Sequence, residues 1–110
     1  MINDFIKCLP KNVDGALIVS QENRRYFTGF DASDGFLFAT KKGSLFLTDS
    51  RYIEAARDKI KCCDVEEQKV KLIEYAARFD CKTLAVEADR LTVSQLKNLR
   101  KALHGIKLTT

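Results

Sequence analysis

A short, uninterrupted apolar run near the start of the chain restricts the fold most strongly. Residues 15–20 read Gly-Ala-Leu-Ile-Val-Ser and contain no charged side chain. A run this short, without alternation in polarity, is typical of a central strand that is covered on both faces. Residues 83–87 predict a second buried strand. The chain must therefore supply helices for both faces of a sheet, which indicates an α/β fold.

The segments between these strands have apolar residues at helical spacing. The first helix spans residues 2–9, with Asn3 as its cap and Pro10 as its stop. A short helical turn at Asn23 ends at Gly29, where the lack of a side chain permits a left-handed backbone. Further helices are predicted at residues 50–58, begun by Asp49 or Ser50, at residues 70–79 with Val70, Ile73 and Ala77 on the apolar face, and at residues 93–104.

The last of these helices has the clearest local signal. Thr92 and Gln95 match a capping box, in which two side chains satisfy free backbone N–H groups at the helix start. Leu91 and Leu96 are placed as a hydrophobic staple, and Gly105 supplies a stop. The predicted buried stripe consists of Val93, Leu96, Leu99 and Leu103.

The remaining strands complete a mixed sheet. Residues 36–40 and 44–48 flank Lys41-Lys42-Gly43, a short glycine-containing connection that predicts an antiparallel hairpin. Residues 60–67 predict an edge strand, and residues 106–110 begin like a strand. Strands that are separated by helices pair in parallel through crossovers. The sequence thus predicts a single α/β domain over residues 1–110, with a mixed β-sheet flanked by helices.

Charge and hydropathy argue against two classes of partner. The formal charge is only +4, and the basic residues alternate with acidic ones, whereas nucleic-acid binders concentrate them on one face. No apolar stretch approaches the roughly 20 residues that span a bilayer, and the start lacks a secretory signal pattern. We therefore expect a cytoplasmic protein that binds neither nucleic acid nor membrane.

The four cysteines, Cys8, Cys62, Cys63 and Cys81, form no C-x-x-C pair. On a strand, the adjacent Cys62 and Cys63 would point to opposite faces, so they would not easily share one metal. Buried, reduced thiols are the expectation for all four.

Catalytic patterns are missing from the sequence. It has one histidine, His104, at a helix end, and its glycines do not form a phosphate-binding loop. No nucleophile elbow and no cysteine–histidine pairing is found. The predictions are therefore no catalytic residue and no metal ligand. Four carboxylates near predicted strand ends leave a nuclease site as a remote alternative: Asp14, Asp49, Glu87 and Asp89.

Two blocks carry the most specific information. Residues 23–30 read Asn-Arg-Arg-Tyr-Phe-Thr-Gly-Phe and are followed by Ser33 and Gly35. Residues 45–56 read Leu-Phe-Leu-Thr-Asp-Ser-Arg-Tyr-Ile-Glu-Ala-Ala. A purely structural interpretation makes Asp49 a helix cap paired with Arg51 or Arg24, and it places Tyr26, Phe27 and Phe30 in the core.

At this separation, the two blocks together resemble the amino-terminal domain of the creatinase/prolidase/aminopeptidase P family. The resemblance implies a ribonuclease-H-like α/β fold. It also implies a noncatalytic domain that precedes a metal-dependent Xaa-Pro aminopeptidase or dipeptidase domain absent from this chain. Such a domain contributes to oligomer assembly and to substrate access. The implied partners are the chain's own catalytic domain, further copies in a homo-oligomer and proline-containing peptides, and the implied cofactor is a divalent metal, commonly manganese, in the catalytic domain.

The resemblance also implies roles for residues of the two blocks. The candidates for contact with substrate or with a neighbouring subunit are Phe30, Ser33, Asp34, Arg51 and Tyr52. Phe30 would pack against an apolar substrate group, and Arg51 would hold a carboxylate or an inter-subunit partner through its planar donors. The motif residues with a structural role are Asn23, Tyr26, Thr28, Gly29 and Asp49. A standalone α/β interaction module without peptidase activity is the alternative function.

Overall fold

A computed structural model describes residues 2–110, which form one six-stranded sheet and five helices in the predicted order. In chain order the elements are α1 (Ile2–Lys7), β1 (Gly15–Ile18), α2 (Gln21–Thr28), β2 (Phe36–Thr40), β3 (Gly43–Thr48), α3 (Ile53–Lys59), β4 (Asp64–Glu67), α4 (Leu72–Arg78), β5 (Thr83–Val86), α5 (Val93–Ala102) and β6 (Lys107–Thr109).

The sheet is mixed, as predicted, with the strand order β4-β3-β2-β1-β5-β6. Strand β2 pairs antiparallel with both β1 and β3, and the other three pairings are parallel. Five strands, all except β2, therefore point the same way. Strand β4 lies at one end of the sheet, which confirms the predicted edge strand with shorter bounds.

Two apolar clusters cover the two faces of the sheet. Leu17 and Phe38 face α4 and α5, whereas the neighbouring Ile18 and Leu37 face the side of α1 and α3. All four are at most 4% exposed. Because adjacent side chains on a strand point to opposite faces, only a strand covered on both sides can be apolar throughout. The prediction from the apolar run at residues 15–20 is confirmed.

Several local predictions are wrong. Asn3 lies inside α1 instead of capping it, and α3 begins at Ile53 rather than beside Asp49 or Ser50. Helix α4 buries Leu72, Tyr75 and Ala76, so its apolar face is rotated from the predicted one, and Val70 is 44% exposed. Helix α3 begins later than its capping residues indicate, whereas the buried face of α4 is set by the packing of Leu72, Tyr75 and Ala76 in the apolar cluster.

Helix α5 confirms one prediction and corrects another. The capping box is formed, with the hydroxyl of Thr92 accepting from the Gln95 N–H and the Gln95 side chain accepting from the Thr92 N–H. Val93, however, is 80% exposed, because it lies in the first turn of the helix, outside the packed stripe. Leu96, Leu99 and Leu103 pack against the sheet as expected.

The cysteines also differ from expectation. All four are free, but only Cys81 is buried, while Cys8 and Cys62 are exposed. Cys62 and Cys63 precede β4 instead of lying on a strand, so they are not forced to opposite faces. Their sulfur atoms lie 3.9 Å apart.

Candidate functional site

A polar cleft of about 780 Å³ lies along the edge of the sheet where the five parallel-running strands end. We call this cleft the edge groove, and its lining includes Arg24, Ser33, Asp34, Asp49, Lys69 and Arg90. In open α/β sheets, the loops that follow the carboxyl ends of strands commonly form ligand sites. The topology thus collects both sequence blocks on one edge of the molecule.

Arg24 holds the loop at residues 31–35 against the end of β1. Its side chain is buried, with the residue only 3% exposed. The guanidinium donates from Nε to the carbonyl of Val19 at 3.0 Å, from Nη1 to that of Ala32 at 3.1 Å and from Nη2 to that of Ser33 at 3.3 Å. Burial lowers the pKa of Arg24, although nearby acidic residues, Asp34 first, oppose the shift. Arg24 is therefore the internal brace of the groove.

Gly35 closes the same loop and leaves no room for a side chain. A Cβ atom there would lie 2.8 Å from the carbonyl oxygen of Leu47 and 3.1 Å from Nη1 of Arg24. The backbone of this loop approaches β3 so closely that any larger residue would displace it. Steric crowding thus explains why position 35 is a glycine.

Glu87 ties the end of β5 to the start of α2. Its carboxylate accepts from the N–H groups of Val19 and Ser20, from the Ser20 hydroxyl and, at 2.6 Å, from Nδ2 of Asn23. Burial raises the pKa of Glu87, but these hydrogen bonds outweigh it, so the pKa lies below its ordinary value. The structure gives Asn23 a bracing contact, and it gives Glu87 a role that the sequence did not reveal.

Asp49 and Arg51 form an ion pair at the mouth of the groove. Nη2 of Arg51 lies 2.7 Å from Oδ2 of Asp49 and 3.1 Å from Oδ2 of Asp34. The N–H of Arg51 also donates to Oδ1 of Asp49 at 2.9 Å. The hydrogen bonds from Arg51 lower the pKa of Asp49, and Asp49 in turn raises the pKa of Arg51. The pair makes Asp49 a partner of Arg51 and not of Arg24.

Tyr52 completes this surface. Its hydroxyl lies 2.8 Å from the Ser33 hydroxyl, and the Arg51 guanidinium stacks 5.1 Å from the centre of its ring. Together, Ser33, Asp34, Asp49, Arg51 and Tyr52 form a connected group, which we call the rim cluster. Ser33, Asp34 and Arg51 are exposed, and Asp49 and Tyr52 are partly buried. Four of the five predicted contact residues thus lie together.

The fifth, Phe30, lies beneath the rim cluster. It is only 8% exposed, and its ring packs edge-on against Tyr52 and Phe46 at 6.3 and 6.2 Å. Phe30 therefore supports Tyr52 from the core and presents little surface to a ligand.

The other motif residues occupy the end of α2. Thr28 donates to the carbonyl of Arg24 at 2.7 Å and accepts from the N–H of Phe30 at 3.1 Å. Gly29 ends the helix with a φ of 73°, the left-handed conformation that glycine favours. Tyr26 is 64% exposed, so its placement in the core was wrong.

Over residues 2–110, the carboxylates of the nuclease alternative are not arranged as a metal-binding group. Asp14 lies at the opposite edge of the sheet, where its carboxylate accepts from the N–H groups of Lys82 and Thr83 at 2.8 and 2.9 Å. Asp49 and Glu87 lie at the carboxyl edge, in the separate contacts described above. Within residues 2–110, no group of three or more His, Cys, Asp and Glu side chains is arranged to hold a metal ion. His104 is exposed beyond the end of α5.

Membrane insertion by a helix finds no support over residues 2–110 either. None of the helices described there combines the length and the apolar character that crossing a bilayer requires.

The sequence also matches a known family over most of its length. The family model described as Creatinase/Prolidase N-terminal domain matches residues 8–110. The chain belongs to this family. The mixed α/β fold of a creatinase/prolidase N-terminal domain, expected from the two sequence blocks, is thereby confirmed.

Individual relatives of the creatinase/prolidase N-terminal domain agree. An uncharacterized peptidase, YqhT of Bacillus subtilis, is 36% identical over 84 residues, which cover 73% of this chain and 24% of the relative. The N-terminal domain of the cytoplasmic peptidase PepQ from Mycobacterium tuberculosis is 26% identical with a TM-score of 0.78, covering 98% of this chain and 85% of that one.

An Xaa-Pro dipeptidase from Bacillus anthracis shares the fold, with a TM-score of 0.88 at 23% identity. The match covers 98% of this chain and 32% of the dipeptidase chain. The creatinase/prolidase N-terminal domain described here thus spans about a quarter of its curated relative and about a third of the dipeptidase.

Sequence reasoning missed the part of the groove that lies opposite the rim cluster. Lys69 and Val70 follow β4, and Arg90 and Gln95 follow β5. Arg90 pairs with Glu22 at 2.6 Å across 68 residues of sequence. The positions of Lys69 and Val70 shortly after β4 were a usable signal, because parallel strands end at a common edge.

Proposed function

We propose that the chain is the noncatalytic amino-terminal domain of a metal-dependent Xaa-Pro aminopeptidase or dipeptidase, contributing to oligomer assembly and substrate access. Family membership and the peptidase relatives support the parent activity. The rim cluster is the single observation that carries the local role. It joins charged side chains and the partly buried Tyr52 into one group beside the edge groove, which Ser33, Asp34 and Asp49 line.

The metal and the reacting groups belong, in this proposal, to a catalytic domain outside residues 1–110. That domain would hold a divalent pair, commonly manganese in this family, which activates water for hydrolysis. The residues of this chain would bind, orient and limit the peptide. The protein would work in the cytoplasm, as a homo-oligomer acting on proline-containing peptides.

Arg51 is the residue best placed for contact with a peptide or a second subunit. Its Nε and Nη2 atoms are engaged by Asp49 and Asp34, and over residues 2–110 its Nη1 has no hydrogen-bond partner. A guanidinium that is already oriented by two carboxylates loses little entropy when it binds a further acceptor. We therefore assign Arg51 the free carboxylate of a short peptide, or an acidic group on a neighbouring subunit.

The first test is made on the gene and the whole protein it encodes. A reading frame that continues past Thr110 into a segment with two Asp, one His and two Glu at metal-ligand positions supports the proposal. Whole protein with manganese should then hydrolyse Xaa-Pro peptides, whereas residues 1–110 alone should not. Metal-dependent turnover by the purified 110-residue chain would overturn the noncatalytic assignment.

The second test separates the two roles of Arg51. In the whole protein, Arg51→Ala should raise KM about tenfold for a peptide with a free carboxylate and leave an amidated peptide unchanged, with kcat preserved, as expected for uniform binding. Arg57→Ala, which changes an exposed arginine in the following helix α3, is the matched control. A change in oligomeric state without a change in KM assigns Arg51 to the subunit contact instead.

A standalone interaction module is a second candidate because two apolar side chains are exposed, one of them in the groove. Val70 lines the groove and is 44% exposed, and Val93 begins α5 and is 80% exposed. Exposed apolar groups of this kind favour contact with another protein surface when they lie together. A stop codon after Thr110, together with a partner recovered by the wild-type chain and lost by Val70→Asp, would favour this module.

A further inference from the structure

Two adjacent cysteines form a close pair at the edge of the sheet opposite the edge groove. The sulfur atoms of Cys62 and Cys63 lie 3.9 Å apart, and Cys62 Sγ also lies 3.5 Å from the carbonyl oxygen of Phe27. Cys62 is exposed and Cys63 is partly buried. Both sulfurs are therefore turned toward the same space, with one of them open to solvent.

A direct disulfide between these residues is geometrically poor. The Cα atoms of neighbouring residues across a trans peptide lie about 3.8 Å apart. Disulfides usually join Cα atoms separated by about 4.4–6.8 Å, and shorter spans store strain that makes the bond easy to reduce. The pair therefore favours two free thiols over an S–S bond.

One atom inserted between the sulfurs removes this strain. Two bonds of about 2.3 Å at a tetrahedral zinc ion hold their sulfur atoms about 3.8 Å apart, close to the 3.9 Å observed. Structural zinc, however, takes four protein ligands, and over residues 2–110 no group of three or more His, Cys, Asp and Glu is arranged to bind a metal. A centre that needs only two protein sulfurs and brings its own third substituent does not lack ligands at this site.

We propose that Cys62 and Cys63 form a dithiol site for one trivalent arsenical. An organoarsenic oxide, R–As=O, exchanges its oxygen for the two sulfurs: two As–S bonds form, and the arsenic–oxygen bond is lost. The two thiol protons leave with that oxygen as one water molecule. Arsenic stays trivalent throughout, so the reaction needs no oxidant or reductant.

Charge balance favours this ligand over a divalent metal. Burial, with the neighbouring Cys62, raises the pKa of Cys63 to about 12, so its thiol is protonated at neutral pH. A metal would require that proton to be lost to solvent and a charge to be held in a partly buried place. The arsenical takes up both sulfurs and leaves a neutral product.

The surroundings leave space for the organic substituent. A cleft of about 520 Å³ lies beside the two cysteines, between α1 and the β2–β3 connection. Asn3, Ile6 and Lys7 line it on the helix side, and Thr40 and Gly43 line it on the hairpin side. A phenyl group carried by the bound arsenic would have this cleft available to it.

The test uses the 110-residue chain and phenylarsine oxide, followed by mass spectrometry under non-denaturing conditions. We expect one phenylarsenic per chain, retained in excess glutathione, a monothiol, and released by dithiothreitol, a dithiol. Cys62→Ser and Cys63→Ser should each lose the retained adduct, whereas Cys8→Ser, which removes another exposed thiol, should keep it. Circular dichroism of each variant shows whether it is folded.

Three outcomes would overturn the proposal. The first is an adduct removed by glutathione from the wild-type chain, because a single thiol holds arsenic that weakly. The second is retention by a folded Cys62→Ser variant. The third is loss from Cys8→Ser, which would place the arsenic at a different pair of thiols.

Discussion

The two ends of the sheet differ in how ionised side chains are used. At the carboxyl edge, Arg24 and Glu87 hydrogen-bond to several loops, whereas at the amino edge the Asp14 carboxylate accepts from two adjacent backbone N–H groups. Arg24 donates to three backbone carbonyls, and Glu87 accepts from two backbone N–H groups and two side chains. At the amino edge, Asp14 accepts from the N–H groups of Lys82 and Thr83, at the start of the adjacent strand β5. At the carboxyl edge, side-chain hydrogen bonds therefore hold loops that are not held by the hydrogen bonds between strands.

This difference separates stability from contact at the carboxyl edge. Arg24 and Glu87 fix the loops from within, so the rim cluster above them need not hold the fold together. Its charged members are exposed, and exposed ion pairs contribute little to stability. The arrangement leaves Arg51 and Asp34 free to change with little effect on folding, as a contact surface requires.

The largest effect should follow removal of the internal brace. Arg24→Ala leaves the carbonyls of Val19, Ala32 and Ser33 without their donor and removes a buried side chain. Hydrogen bonds to charged groups are each worth about 1.5–3 kcal/mol, and they do not add fully. We expect the free energy of unfolding to fall by about 4 kcal/mol, measured by urea titration of the 110-residue chain.

Arg25 provides the matched control for this substitution. It follows Arg24 in α2 but is exposed, so Arg25→Ala should change the free energy of unfolding by less than about 0.5 kcal/mol. Equal losses for the two variants would contradict the role of Arg24 as a brace. They would show that charge on α2, and not the buried contacts, matters.

Glu87→Gln should have a smaller effect that depends on pH. At neutral pH, we expect a loss of about 2 kcal/mol, because an amide replaces an ionised acceptor of several hydrogen bonds. The folded pKa of Glu87 lies below its ordinary value of 4.5, so its contribution is complete above that value. As pH falls through the folded pKa, the carboxylate is protonated and the contribution disappears.

The measurement is the difference in unfolding free energy between Glu87→Gln and the wild-type chain from pH 7 to pH 2. That difference should be constant down to the ordinary pKa and should then shrink. Glu22→Gln is the control, since Glu22 is exposed in α2 and its carboxylate, over residues 2–110, forms the surface pair with Arg90. A difference that stays constant to the lowest pH would show that the charge on Glu87 is unimportant.

The sequence predicted the sheet well because its evidence is local. A short apolar run at residues 15–20 can be covered only by two layers, and Lys41-Lys42-Gly43 permits only a tight connection. The capping box of α5 is contained within four residues. These three predictions depend on neighbours in sequence and are confirmed, whereas the equally local helix caps at Asn3 and at Asp49 or Ser50 are not.

The sequence predicted the braces poorly because their partners are distant. Glu87 contacts Ser20 and Asn23 across more than 60 residues, and no pattern within β5 indicates those partners. The face of α4 was wrong for a different reason. Its start at Leu72 depends on packing against the sheet, and Val70 belongs to the preceding loop instead. Four of the contact candidates lie together because the sheet topology brings the loops of both sequence blocks to the same end of the sheet.

The smallest effect on stability should come from the rim cluster, and that result would sharpen the contrast between exposed contacts and internal braces. We expect Arg51→Ala to leave the urea midpoint of the 110-residue chain unchanged within error, because its ion pairs with Asp49 and Asp34 are exposed. Tyr52→Phe, which removes only the hydroxyl bonded to Ser33, should behave alike. A large loss in either variant would contradict the separation of stability from contact. If both keep wild-type stability, any change they cause in the whole protein's peptide KM must arise at the surface itself.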